Sequence, residues 1–265
     1  MTEDILKKIK QLPPLPESAM QIEAVYQDPD SSFNDMVKIL EKDPLLTADI
    51  LKAANSPLYG FSREINAINQ AVGLFGMGTV RGFALASIVK KSFALDLSPY
   101  GINNEMFSAL SKKQHGLMTA WCLKTEGKLL GILSPAAFLV EIGKVLIAQQ
   151  IMTDSKQEEF RDALKELQDV EAAERKVIGV DTPEVSSTIF EHWRFENGLV
   201  DTIRNCSNPD NAEEEDKKAA QILNVVRVAV PINGAVTEES KTAARALIEE
   251  YGLNLEAFDT AIENA

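Results

Sequence analysis

Histidine and cysteine are scarce in this sequence, with two of each in 265 residues. Cys122 and Cys206 form no CxxC pair, which argues against a paired-thiol motif or a disulfide framework and suits a reducing cytoplasm. His115 and His192 belong to no HExxH or HxxxH pair. A catalytic zinc or di-iron centre needs three or more N, O or S ligands converging on an open position. No spacing among His115, His192, Cys122 and Cys206 builds one. Basic residues are also in deficit: 27 Lys and Arg stand against 40 Asp and Glu, a net charge of −13. Nucleic-acid binding runs on cations that neutralise phosphates, so no nucleic-acid partner is expected. The pairs Lys90-Lys91 and Lys112-Lys113 read as solvated helix faces. No GxxxxGK[ST] and no GxSxG occurs, so neither a P-loop nor an esterase-type serine is indicated. The opening MTEDILKKIK has no apolar run of the secretory kind. The most membrane-like stretch, Leu129 to Ala148, holds Pro135, Glu141 and Lys144. Charges near the centre of a span cost several kcal/mol, so it reads as a buried core helix of a soluble, cytoplasmic protein.

Helical periodicity is what the chain has in abundance. Phe33, Met36, Val37 and Leu40 share one helix face, with Ser32 as N-cap and Asp35 three residues on. Asp43-Pro44 pairs a capping carboxylate with proline at the first helical position, and that helix ends before Ser56-Pro57. A helix from Asn66 is stopped by Gly76, and another runs on from Gly78. Gly73, Gly76 and Gly78 give GxxGxG, the reverse of the dinucleotide order and on a helix, so they read as a C-cap and a tight turn. Leu97 to Asn104 is a turn-rich joint and the expected lobe boundary. Beyond it, Ser134-Pro135 reads as a helix start, Ser155 with Glu158 as a capping box, and Thr182-Pro183 as another start. Leu223 to Val230 is β-branched but has no strand partner, so it is read as helix. The fold class expected is all-α, a two-lobed multi-helix bundle: 1–100, 101–210, and terminal helices over 211–265.

Glu141 stands out among the carboxylates because it sits in the apolar segment FLVEIGKVLI. A buried carboxylate needs a partner or a raised pKa. An internal ion pair with Lys144 or another basic residue, or a ligand-binding role, would both satisfy it.

Three segments resemble the HDOD family: LPPLP (12–16), EKDPLLTADILKAANSPLYG (41–60) and INAINQAVGLFGMGTVRG (65–82). Asp43, Pro44, Asn55, Ser56, Tyr59 and Gly76 occupy the family's motif positions, with Gly60 completing an aromatic-Gly pair. The resemblance covers roughly residues 10–210. It implies a second lobe similar to HD-domain phosphohydrolases, whose metal site uses a histidine, a His-Asp dyad on the next helix, and later His and Asp residues. His115 matches the first histidine. The dyad positions hold Val140 and Glu141, and the later histidine positions hold Pro183, Cys206 and Ser207.

That pattern implies an eroded metal site, with no metal or cofactor expected. A metal-activated water is what makes HD hydrolysis feasible near neutral pH. The resemblance therefore implies a non-catalytic signal-transduction output or regulatory module, acting through a signalling protein partner or a small, nucleotide-like ligand. The alternative is a residual metal-dependent phosphohydrolase or phosphodiesterase using His115 and Glu141. His115, Glu141, Lys144 and Cys206 are the expected ligand-binding residues, and the groove between the lobes is the expected partner surface. No receiver, GGDEF or EAL segment is expected, so the signal would arrive by contact or by ligand.

Overall fold

In a computed structural model the described residues are 1–59, 61, 63–91, 93 and 96–263, with Lys90 described by its backbone alone. Gly60 falls outside them. Among the described residues every regular element is helical. The first group is α1 (Glu3–Lys10), α2 (Glu17–Gln27), α3 (Phe33–Glu41), α4 (Pro44–Ala54) and α5 (Ile68–Lys91). The second is α6 (Asn104–Cys122), α7 (Leu130–Leu139), α8 (Gly143–Thr153), α9 (Gln157–Leu167), α10 (Val170–Ile178), α11 (Thr182–His192) and α12 (Asn197–Asn205). Last come α13 (Lys217–Ala229), α14 (Glu238–Tyr251) and α15 (Leu255–Ile262).

Local chemistry sets many of these boundaries. Ser32 and Asp35 form a reciprocal capping box at the start of α3. Asp43 accepts from the Leu46 N–H at 2.9 Å, and Pro44 at the first helical position needs no N–H partner. Asn55 closes α4: its amide donates to the Leu51 and Ile65 carbonyls and accepts from the Ile65 N–H, pinning the following loop. Gly76 breaks α5 with φ 78° and ψ 165°, a conformation that strains any side chain.

Two expected helix starts are corrected. Ser155 and Glu158 make no capping box. Ser155 has φ 55° and is used in the turn that closes α8, where Lys156 N–H bonds the Ile151 carbonyl; α9 starts at Gln157. Ser134-Pro135 does not open a helix but lies inside α7. Proline there leaves the carbonyl four residues back without its helical donor. That carbonyl belongs to Gly131, and Arg81 Nη1 reaches it at 3.0 Å.

Arg81 is fully buried on α5 and joins four parts of the chain. Its Nε and Nη2 bond both oxygens of Glu23 on α2 at 2.6 and 2.7 Å, and its Nη1 bonds Glu196, the N-cap of α12, at 2.6 Å. The guanidinium also lies 4.3 Å over the Tyr26 ring. Burial would favour the neutral form, yet the two carboxylates push its pKa up, so the charge is retained.

α5 packs most extensively on α7. Their backbones meet because glycines face the contact: a Cβ on Gly78 would lie 2.8 Å from Gly131 Cα, and one on Gly82 would lie 2.3 Å from Ser134 Oγ. Gly78 is therefore a close-approach residue, while Gly76 makes the expected turn. α1 packs on α8 and α11, and α13 packs against α12, α14, α6 and α7. The two longest apolar segments, 68–89 and 127–153, are long and apolar enough to cross a membrane, but 67% and 89% of the most apolar part of each is buried inside the fold.

This packing separates two glycine-to-alanine changes on the same helix. Gly82→Ala is expected to lose about 1–3 kcal/mol through overpacking. Gly73→Ala, on an exposed face with open space around it, is expected to gain roughly 0.5–1 kcal/mol from helix propensity. Urea unfolding of the two variants checks the opposite signs.

Candidate functional site

The positions that the resemblance marks as an eroded metal site do not all join one cluster. His115, on the buried face of α6, turns toward the first group of helices. Its Nδ1 lies 2.6 Å from the Tyr59 hydroxyl and its Nε2 lies 2.8 Å from Ser134 Oγ. Its ring stacks on Phe138 with centroids 3.9 Å apart and packs against Phe83. Burial pushes the Tyr59 phenol well above its ordinary range, so it stays a donor. A consistent relay results: Tyr59 donates to Nδ1, Nε2–H donates to Ser134, and Ser134 donates to the Thr79 carbonyl at 3.4 Å. Both ring nitrogens are thereby committed.

Glu141 occupies a separate cluster. Residues 140–142 form a single 3-10 turn between α7 and α8, and this turn carries the Glu141 side chain inward. Its Oε1 accepts from Arg227 Nε at 2.8 Å, and Lys144 Nζ pairs with its Oε2 at 3.0 Å. Gln114 Nε2 approaches the same Oε1 at 3.4 Å. Burial opposes ionisation, but Arg227 and Lys144 together hold the carboxyl far below the usual carboxylate range. Arg227 Nη1 also reaches Glu171 at 2.7 Å, Ser207 Oγ at 3.0 Å and Cys206 Sγ at 3.3 Å. Lys144 continues to Glu174 and Thr182, and Tyr100 donates to Glu174 at 2.8 Å. A cavity of about 390 Å³ opens beside this network, lined by Glu141, Lys144, Glu171, Arg175, Ser207 and Arg227 among others.

The expected grouping of His115 with Glu141, Lys144 and Cys206 is corrected here. Glu141 and Cys206 both bond Arg227 and Lys144 joins through Glu141, although Cys206 itself does not line the cavity. His115 does not line their cavity, because its position on α6 faces Phe138 and Tyr59 instead. Val140 is fully buried, with its carbonyl accepting from Ser186. Pro183 sits in the first turn of α11, whose cap is Asp181. Ser207 donates to Glu171 at 2.8 Å. The motif residues Asp43, Pro44, Asn55 and Gly76 shape the backbone, Ser56 closes the turn to Tyr59 through its carbonyl, and Tyr59 holds His115.

These residues do not fit a metal ion. The His115 nitrogens are taken, Val140 and Pro183 offer no side-chain donor, and burial pushes the Cys206 thiol up to about 11, so it stays protonated near neutral pH. The carboxylate of Glu141 is already neutralised by two side-chain cations. Among the described residues no three His, Cys, Asp or Glu side chains are placed to hold a metal. Arg227, Glu171, Glu174, Tyr100 and Thr182 were not singled out by sequence reasoning. A signal for Arg227 existed: it is a lone charge in LNVVRVAV, as Glu141 is in FLVEIGKVLI.

Burial also pushes the His115 pKa well below its ordinary value. The unfolded ring takes a proton below about pH 6.5, which the native ring refuses. The stability this group contributes is therefore complete above that pH and is lost as pH falls toward the folded pKa. Between about pH 7.5 and 5.5 the native chain should lose about 1.4 kcal/mol more than His115→Gln. Urea unfolding at the two pH values measures this, and equal losses would refute the neutral buried ring.

The structure of a virulence factor from Campylobacter jejuni subsp. jejuni is 29% identical, covers 96% of this chain and 90% of its own, and superposes with a TM-score of 0.57. A provisionally named phosphohydrolase from Shewanella amazonensis SB2B shares the fold at 23% identity, with 99% and 93% coverage and a TM-score of 0.69. An uncharacterized protein of Treponema pallidum (strain Nichols) is 29% identical over 77 residues, and the match spans 29% of this chain and 15% of that relative's length. Because the profile of the HDOD domain matches residues 12–209, from the Leu-Pro turn to the edge of the Arg227 cluster, the chain belongs to the HDOD domain family.

Proposed function

We propose that this chain is a non-catalytic regulatory module of signal transduction that acts by binding, with a protein partner or a small ligand as its effector. The observation that carries this reading is Arg227. Its guanidinium bonds Glu141, Glu171, Cys206 and Ser207 at once, and so takes up the acceptors that a catalytic cation would need. Hydrolysis of the HD type depends on a metal-activated water, and an arginine supplies no exchangeable water. Arginine keeps its proton in proteins, and here the carboxylates around it push its pKa higher still against the effect of burial. The relation to HD phosphohydrolases is then one of fold, with the chemistry replaced by a fixed ionic network. Fold alone does not carry an activity. In this reading the module works in the cytoplasm, and its candidate ligand site is the cavity beside Glu141, Lys144 and Arg227.

Elemental analysis of the purified chain, together with an assay on bis-p-nitrophenyl phosphate, tests the proposal. The expected result is sub-stoichiometric Fe, Mn and Zn and no hydrolysis above the blank. Stoichiometric metal that is lost in His115→Ala, with hydrolysis lost alongside it, would overturn the reading in favour of a residual phosphohydrolase.

A further inference from the structure

A second cavity, of about 310 Å³, lies away from the Arg227 cluster where four helices meet. α4 contributes Asp49, Lys52 and Ala53; α5 contributes Phe83, Ala86, Ser87 and Lys91; α6 contributes Ser108 and Lys112; α7 contributes Phe138. The spacing explains the convergence: Phe83, Ser87 and Lys91 recur every four residues on α5, as Ser108 and Lys112 do on α6, so each set shares a helix face. The floor is aromatic, with Phe83 and Phe138 packed edge to face at 5.4 Å.

The rim is cationic. Three lysines stand against one aspartate, in a chain whose net charge is −13. The aspartate is already in use: Asp49 accepts from Lys91 Nζ at 2.7 Å and from Ser87 Oγ at 2.6 Å. Lys52 is exposed and close enough to Asp49 to interact with its charge, but makes no ion pair, and the half-buried Lys112 has none among the described residues. A partly desolvated ammonium such as that of Lys112 gains from a counter-ion, and among the described residues no side chain at this rim supplies a free one. Ser108 adds a further hydroxyl at the mouth.

We propose that this cavity binds a small aromatic anion, a carboxylate, sulfonate or phosphate on a flat ring, with the ring against Phe83 and Phe138 and the anion between Lys52 and Lys112. The volume is at the lower end for small-molecule sites, about 300 Å³, which suits one or two rings. Phe83 and Phe138 also hold the His115 ring, so an occupant touches the same cluster that joins Tyr59 to α6. The site is independent of whether the Arg227 cluster binds anything.

Anilinonaphthalene sulfonate, an aromatic anion with its own fluorescence, is the probe, and uncharged phenylnaphthylamine is its comparison. Titration of the native chain near pH 7.5 is expected to show one saturable site for the sulfonate and at least about tenfold weaker binding of the neutral amine. Lys112→Gln and Lys52→Gln are each expected to weaken the sulfonate by about tenfold at unchanged thermal midpoint. Ala53→Phe, which fills the cavity from a half-buried position, should abolish the site. Equal binding of the two probes, or sulfonate affinity unaffected by all three folded variants, overturns the proposal.

Discussion

The packing of α2, α5, α7 and α12 depends on one buried cation. Arg81 has no access to solvent, so every donor on its guanidinium must find a protein acceptor. Four of its five N–H donors bond Glu23, Glu196 and the Gly131 carbonyl. The last acceptor is free because Pro135 cannot donate to it, so a proline inside α7 and an arginine inside α5 answer each other's unmet needs. Breaking a buried pair is strongly destabilising, because it leaves a charge unpaired. The glycines at 78, 82 and 131 belong to the same solution, since only close backbones bring the guanidinium within reach of a main-chain oxygen.

Arg227 repeats the arrangement with a separate set of partners and different consequences. Arg81 and its carboxylate partners all lie within the residues matched by the family profile. Arg227 comes from α13, beyond the residues matched by the family profile, and enters the cluster around Glu141 and Glu171. Lys144 shares the load: it pairs with Glu141 and Glu174, and Glu174 also receives Thr182 and Tyr100. Burial raises the pKa of Glu174 while Arg227 and Lys144 lower that of Glu141. The two acids therefore sit in different electrostatic environments although both bond the same ammonium.

Much of the fold was legible because its signals are local. Capping at Ser32 and Asp43, the break at Gly76 and the helical reading of 223–230 each rest on a few adjacent residues. The reading failed at Ser134-Pro135, where Arg81 from another helix meets the carbonyl that Pro135 frees, and at Ser155, which the turn closing α8 uses instead. The site was half legible. A lone carboxylate in an apolar run announces burial, so Glu141 and its pairing with Lys144 could be expected. Helical spacing assigns His115 to the buried face of α6, but not to the neighbour it meets, and so the sequence could not separate it from Glu141. Arg81 and Arg227 show the same lone-charge signature, but their partners lie 58 and 86 positions away. Pairing over such distances is a property of packing.

Arg227 is a cation that the polypeptide carries with it. A bound metal has an occupancy set by supply, competes with other ions and can be stripped or oxidised. A guanidinium on α13 has an effective concentration fixed by the fold, so the charge balance of this cluster stays the same whatever ions surround the chain. The variable it does respond to is the seating of α13 itself: movement of that helix would uncover Glu141 and Glu171 together. In this chain the charge balance around Glu141 and Glu171 and the seating of α13 are therefore coupled through one side chain.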